Sequence, residues 1–192
     1  KLNMSKKNSN VQNLKSILRN HKKSLEIYSE FNSNLKKTIK KDSFLVAVSG
    51  GGDSLALTAL SELYKSENKN KVFFVLIDHG IRQNSKAEAE KVKKLLKKKG
   101  IALSILTNKK KINKDIQNLA RKARYNLLVN FCIKKNCKFI LTGHHSDDQV
   151  ETFLIRLSRG SGIQGLSSMS KITTLSKKIK QVVLMGGAGS QL

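Results

Sequence analysis

Three short segments of the chain combine residue types that do chemistry. The sharpest is Ser49-Gly50-Gly51-Gly52-Asp53-Ser54, between the apolar run Phe44–Val48 and the amphipathic stretch Leu55–Tyr64. Glycines let a backbone approach an anion closely, and a helix starting just after them offers free N–H groups. Ser49 and Ser54 add hydroxyl donors for phosphate oxygens. Asp53 would repel a phosphate unless a cation lay between them, so the segment predicts a phosphate cradle with Mg2+ near Asp53. Three glycines alone would equally make a strand-to-helix turn capped by Asp53 or Ser54. The segment is not a Walker A loop, because no lysine follows the last glycine, and it lacks the G-x-G-x-x-G dinucleotide spacing.

The second segment is Asp78-His79-Gly80-Ile81-Arg82, after the apolar run Val72–Ile77. The third runs from Gly143-His144-His145 through Asp147, Asp148 and Glu151, after Phe139–Leu141. Together the three hold five of the 13 acids (Asp53, Asp78, Asp147, Asp148, Glu151) and three of the four histidines. The chain has 38 Lys+Arg and a formal net charge of +25. A basic protein that gathers its scarce carboxylates at strand ends suggests a site for a metal ion or a cationic substrate. Asp148 and Glu151 are i,i+3 neighbours on one helix face and would repel each other without a cation. Asp147 falls at the N-cap of that helix, where capping is its expected job. Arg121 and Tyr125 are i,i+4 neighbours on another helix, where a solvated face is the usual fate of arginine.

These segments need elements to position them. Strands are predicted at Phe44–Val48, Val72–Ile77, Ile101–Leu106 and Phe139–Leu141, with a strand-like run at Gln181–Met185. Helices are predicted at Leu55–Tyr64, from Ser85 to about Lys99 with a Ser85/Glu88 capping box, from Ile116 to Phe131, and from about Asp147 to Ser158. This alternation predicts the α/β class: an open parallel sheet with helices on both faces and ligands in the crevice beyond the carboxyl ends of the strands. Residues 1–41 carry 11 Lys/Arg and read as a basic helical segment with one apolar stripe. Residues 42–170 form the α/β domain. Residues 171–192 form an atypical tail, ending in Gly186-Gly187-Ala188-Gly189-Ser190-Gln191-Leu192, with the look of a truncated end; Met4 reads as the natural start.

Composition bounds the function classes. Hydrophobic residues make up 39% of the 192 residues, enough for a core, which excludes wholesale disorder. The positive excess attracts phosphate-rich partners, although a chain without Pro or Trp and heavy in Lys, Asn and Ile also carries a compositional bias. No apolar stretch approaches the roughly 20 residues needed to span a membrane. The N-terminus is too polar for a signal peptide, and Cys132 and Cys137 have neither disulfide nor zinc spacing, so a cytoplasmic setting is expected. Oligomeric state is not legible.

Ser-Gly-Gly-x-Asp-Ser after an apolar strand resembles the pyrophosphate loop of the N-type ATP pyrophosphatases, the PP-loop superfamily. The Asp78–Arg82 segment, Ala120-Arg121-Lys122-Ala123-Arg124-Tyr125, the Gly143–Thr152 segment, Arg159-Gly160-Ser161-Gly162 and Gly165-Leu166 narrow this. Together they resemble, in order from about Phe44 to Met169, the N-terminal domain of the tRNA(Ile)-lysidine synthetase family. The resemblance implies a Rossmann-like, adenine nucleotide alpha-hydrolase-like fold with ATP and Mg2+ as cofactors and tRNA(Ile) and free L-lysine as partners. It implies that Ser49, Gly50, Gly51, Gly52, Asp53, Ser54, Asp78 and His79 serve the nucleotide, with Asp53 near the metal. His144, Asp148, Glu151 and Arg121 would carry catalysis. The family normally continues into a strand with an Arg-Pro pair and then into further RNA-binding domains; the Arg-Pro pair is missing here. Two alternatives are a related tRNA-modifying enzyme, such as a 2-thiolation enzyme, and a non-catalytic basic RNA-binding fragment.

Overall fold

The computed structural model describes residues 22–78, 80, 84–108, 116–144 and 172–185, together with position 16. Helix α1 (Lys22–Thr38) buries Tyr28, Phe31 and Leu35, and Ile39 just after it, all on the apolar stripe. Asn70 fastens the end of this helix to the sheet: its side-chain amide donates to the carbonyls of Lys40 and Asp42 at 2.9 and 2.8 Å. Strand β1 (Phe44–Val48) is buried at every position, as expected of a central strand covered on both faces. There follow α2 (Gly52–Glu67), β2 (Val72–Asp78), α3 (Ser85–Lys98), β3 (Leu103–Thr107), α4 (Ile116–Lys135), β4 (Phe139–His144), β5 (Ile172–Ser176) and β6 (Ile179–Met185).

The six strands form one sheet in the order β3-β2-β1-β4-β6-β5. All pairings are parallel except the edge hairpin of β5 with β6. Side chains alternate between two cores. Phe44, Val46, Val48, Phe74, Leu76 and Leu141 face a cluster with residues of α1, α2 and α3. Leu45, Ala47, Val75, Ile140 and Ile179 face Leu128 and Cys132 of α4. This is the α/β architecture that the alternation predicts. None of the helices among the described residues is long and apolar enough to cross a membrane.

The structure departs from the pattern in three places. The expected Ser85/Glu88 capping box is not made: Asn84 is the N-cap, it makes no side-chain cap bond, and the Glu88 N–H bonds the Asn84 carbonyl. Helix α2 starts at Gly52, three residues before the apolar periodicity becomes visible, because the glycine turn winds directly into it. Residues 172–185, set apart by composition as a tail, pair in the sheet, and β5 is a strand that the apolar pattern did not reveal. The expected helix from Asp147 to Ser158 lies outside the described residues.

Cys132 and Cys137 are both free and buried, and they close the C-terminal turn of α4. Asn136 adopts a left-handed φ of 53°, its N–H bonds the Ile133 carbonyl, and the Cys137 N–H bonds the Cys132 carbonyl. That is the Schellman arrangement, in which the first and last residues touch. Both side chains pack in the core under α4.

If α1 belongs to the core, Leu35→Ala should destabilise the chain by about 2–5 kcal/mol. Leu25→Ala, on the exposed side of the same helix, should stay within about 0.5 kcal/mol of the parent. Urea unfolding midpoints of the two variants check this directly.

Candidate functional site

Strands β1, β2 and β4 run parallel and adjacent, so their carboxyl ends at Val48, Asp78 and His144 open onto one edge of the sheet. Beyond Val48 the chain must reverse into α2. Gly50 makes the turn with φ +90°, a left-handed conformation that L side chains rarely adopt. A Cβ there would also lie 2.9 Å from Val92 Cγ2 on α3. Glycine is therefore required at position 50 by the fold itself.

Ser54 holds the turn shut. It is buried, and its hydroxyl oxygen accepts from the backbone N–H groups of Ser49 and Gly50 at 3.2 and 3.1 Å. The same hydroxyl donates to the Gly51 carbonyl at 3.0 Å, and Ser49 Oγ donates to it at 3.0 Å. The first backbone bond of α2 runs from the Leu55 N–H to the Gly51 carbonyl. By helix geometry the N–H groups of Gly52, Asp53 and Ser54 have no intrahelical acceptor, and they sit at the positive end of the helix dipole. Such an end, at the carboxyl edge of the sheet, suits an anion.

Gly51 and Gly52 have a different reason to be glycine. Gly51 has an ordinary φ of −72°, and a Cβ on it would meet only Ser49 Oγ, at 3.7 Å. A Cβ on Gly52 would meet none of the described residues within 4 Å. Neither the φ of Gly51 nor the described neighbours of either residue demand glycine there, although glycine is a favoured type at the N-cap, which Gly51 occupies. Open space over free N–H groups suits a phosphate coming close to the main chain.

Gly143 brings β4 against this loop: a Cβ there would lie 3.3 Å from the Asp53 carbonyl oxygen and 3.5 Å from the Ser54 nitrogen. Asp78 is 6% exposed and ends β2 in a side-chain turn, its Oδ1 accepting the Gly80 N–H at 3.0 Å. The Asp78 carbonyl accepts from the Asn108 N–H at 3.0 Å, which ties the ends of β2 and β3 together. The Asp53 side chain is exposed in the first turn of α2. No group of three metal-ligating side chains occurs among the described residues. The accessible hard carboxylate of Asp53 beside this turn nevertheless fits Mg2+, which is commonly held by one or two carboxylates plus the phosphates of its substrate.

Helix α4 ends just before β4 begins, so its N-terminal part, with Arg121, lies toward the same carboxyl edge. The Arg121 guanidinium is 6.0 Å from the centre of the Tyr125 ring. Arg124 is half-buried; burial pushes its guanidinium below the ordinary value, Tyr125 opposes that, and the charge of Arg121 adds to it. The Gln181 amide donates to the Tyr125 hydroxyl at 3.0 Å and to Thr142 Oγ1 at 2.9 Å. Neither Thr142 nor Gln181 was singled out by motif. The available signal was a lone polar side chain at an inward, period-two position next to Ile179.

The structure thus brings Ser49–Ser54, Asp78 and the end of β4 at His144 to one edge, with Arg121 on the helix behind. His79, Arg82, His145, Asp147, Asp148 and Glu151 lie outside the described residues.

A parallel α/β sheet whose central strand ends in a glycine turn and a free helix N-terminus defines a class of phosphate-binding domains. The chain belongs to the PP-loop domain family, which it matches over residues 21–182. It is similar to the tRNA(Ile)-lysidine synthase of Wolbachia pipientis wMel, with 47% identity over 127 residues, 65% of this chain and 30% of that protein. It is similar also to the tRNA(Ile)-lysidine synthase of Rickettsia africae (strain ESF-5), with 36% identity over 148 residues, 74% of this chain and 30% of that protein. The motif resemblance is borne out, and the chain spans about 30% of the length of these curated relatives. Among solved structures it superposes on the U34-tRNA thiolase NcsA from Methanococcus maripaludis with its 4Fe-4S cluster, at a TM-score of 0.65 and 20% identity. That match covers 82% of this chain and 59% of the other, and the likeness is one of fold.

The glycines separate experimentally. Gly50→Ala should destabilise the fold by about 1–3 kcal/mol through backbone strain alone, with a further contribution from Val92. Gly51→Val should stay folded, losing about 0.5–2 kcal/mol as a poorer N-cap, and should weaken binding of inorganic pyrophosphate, measured by calorimetry on the folded variant. Unchanged pyrophosphate affinity in folded Gly51→Val would show that the loop is only a turn.

Proposed function

We propose that this chain is the ATP-using domain of an enzyme that joins free L-lysine to the wobble cytidine of tRNA(Ile). The observation that carries the reading is the run Gly50-Gly51-Gly52 at a helix N-terminus on the sheet's ligand edge, where the described residues leave open space beside Gly52. The lysidine synthase relatives support it over the other members of the superfamily. The alternative of 2-thiolation lacks comparable support, since the likeness to the thiolase is one of fold. Cys132 and Cys137 close a helix turn instead of forming a Cys-x-x-Cys pair.

The chemistry has two steps. The cytidine O2 attacks the α-phosphorus of ATP, forming a new P–O bond and breaking the bond to the β-phosphate, so pyrophosphate leaves. The ε-amine of lysine then attacks C2, losing a proton as AMP departs with the oxygen. The first step turns a poor leaving oxygen into a good one; the second needs lysine as a neutral nucleophile.

In this reading the N–H groups of Gly52, Asp53 and Ser54 cradle the departing pyrophosphate, with Gly51 and Gly52 leaving room for it. Ser49 and Gly50 shape the cradle, and the Ser54 hydroxyl serves by holding that shape, because its hydrogen bonds are already within the loop. Asp53 would hold Mg2+, which supplies charge neutralisation for the phosphates when bound. Asp78 and His79 serve the nucleotide at the end of β2. Arg121 offsets negative charge at the adenylated intermediate. His144, Asp148 and Glu151 bind the ammonium of lysine and take up its proton. The net charge of +25 draws tRNA in through its phosphates.

ATP–pyrophosphate exchange in the presence of tRNA(Ile) tests the adenylation step. Exchange that requires this tRNA supports the reading; none with any tRNA overturns it. Asp148→Asn and Glu151→Gln keep shape but remove charge. Each should weaken lysine dependence by up to about 2–5 kcal/mol where the ion pair is buried, with ATP affinity kept. Equal loss of ATP binding would assign them to the metal instead. Binding of cognate and non-cognate tRNA should fall steeply and in parallel as salt rises, because phosphate contacts do not read bases. A cognate preference surviving high salt would show that residues 1–192 suffice for recognition.

A further inference from the structure

The side of the sheet covered by α4 is apolar, built on Leu45, Ala47, Val75, Leu128 and Ile140, yet three polar side chains meet there in a line. Gln181 lies in the middle and is 6% exposed; Thr142 is 1% exposed. An amide buried this deeply is unfavourable unless its hydrogens are used. Here Gln181 Nε2 reaches Thr142 on β4 and Tyr125 on α4. Core packing alone would be served by an apolar residue, as it is at Ile179 on the same face of the strand. The amide supplies something that packing does not: it fixes the Tyr125 hydroxyl, and with it the position of the ring.

The Tyr125 ring carries the Arg121 guanidinium on its face. Arg121 is exposed, with a long side chain and many rotamers. It also has the second guanidinium of Arg124 nearby, whose charge repels its own. A ring held at both ends narrows where the exposed guanidinium can go.

We infer that Gln181 is a positioning residue for Arg121, acting through Tyr125, so that β6 is a working part of the site. The inference rests on the reading of Arg121 above for its catalytic consequence, but not for the positioning itself.

Two readouts on the 192-residue chain separate these. The first is the ring-current shift of the Arg121 Nε–H resonance, assigned by its loss in Arg121→Lys. The second is the kcat of ATP–pyrophosphate exchange with tRNA(Ile), measured where every variant is folded. Gln181→Met keeps length and removes both donors, and Tyr125→Phe keeps the ring without its hydroxyl. Each should diminish the ring-current shift and lower kcat between about tenfold and a hundredfold. The KM for ATP should stay within about twofold. The double variant should be no worse than either single one. In an Arg121→Ala background, Gln181→Met should leave the residual rate unchanged. Ile179→Val, a purely apolar trim in the same strand, should lower the urea midpoint without touching either readout. An unaltered ring-current shift in folded Gln181→Met overturns the inference, as does an equal loss of kcat with and without Arg121. If the shift is lost but Arg121→Ala exchanges at the parent rate, the positioning stands and the catalytic reading of Arg121 falls.

Discussion

The backbone between β1 and α2 has to turn in a space bounded by α3 on one side and β4 on the other. Val92 allows no Cβ at position 50, and the Asp53 carbonyl leaves only tight room for one at position 143. The turn is left-handed at Gly50 and is closed by a single buried hydroxyl, that of Ser54. That hydroxyl takes up the N–H groups of Ser49 and Gly50, and those further along, on Gly52, Asp53 and Ser54, have no acceptor within the helix. The shape of the turn at the N-terminal end of α2 thus depends on two close approaches and one serine, and each comes from a different part of the chain.

The sheet exists to hold that turn in the middle. β1 is flanked by β2 and β4, and its five residues are buried on alternate faces by separate cores. Aromatic contacts from Phe31 and Phe44 onto Tyr64 lock α1 and β1 to α2. The Gln181 amide links α4 to β4 and β6 across the second core. Exposed ion pairs such as Lys93–Glu90 and Lys138–Asp42 add little, since water screens them. Burial, with a few well-satisfied polar links, holds a chain of such high positive charge together.

The site was legible where chemistry is local. Ser49–Ser54 announces itself because an anion loop needs glycines, hydroxyls and a following helix within six consecutive positions. Asp78 was legible for a related reason, as a carboxylate at the abrupt end of an apolar run, and the structure gives it a turn to close at Gly80. The division of labour among the glycines was not legible. Gly50 serves the fold, while Gly51 and Gly52 have no such duty, and that distinction depends on a valine 42 positions away. Nor was the commitment of Ser54 to the loop visible, since a serine after glycines looks the same whether it faces a phosphate or a carbonyl.

By itself the sequence determined the periodicities, and through them the α/β class, the central strand and the segments that could do chemistry. Those are properties of neighbouring residues, written within a few positions of one another. Strand order, the β5–β6 hairpin and the role of Gln181 were decided only by the tertiary structure. Ile172–Ser176 is a short, half-polar run that becomes a strand only because β6 is there to pair with it. Gln181 matters only because Thr142 and Tyr125, 39 and 56 positions away, converge on it. Such pairings depend on which surfaces meet once the apolar faces are buried, and no local pattern records that.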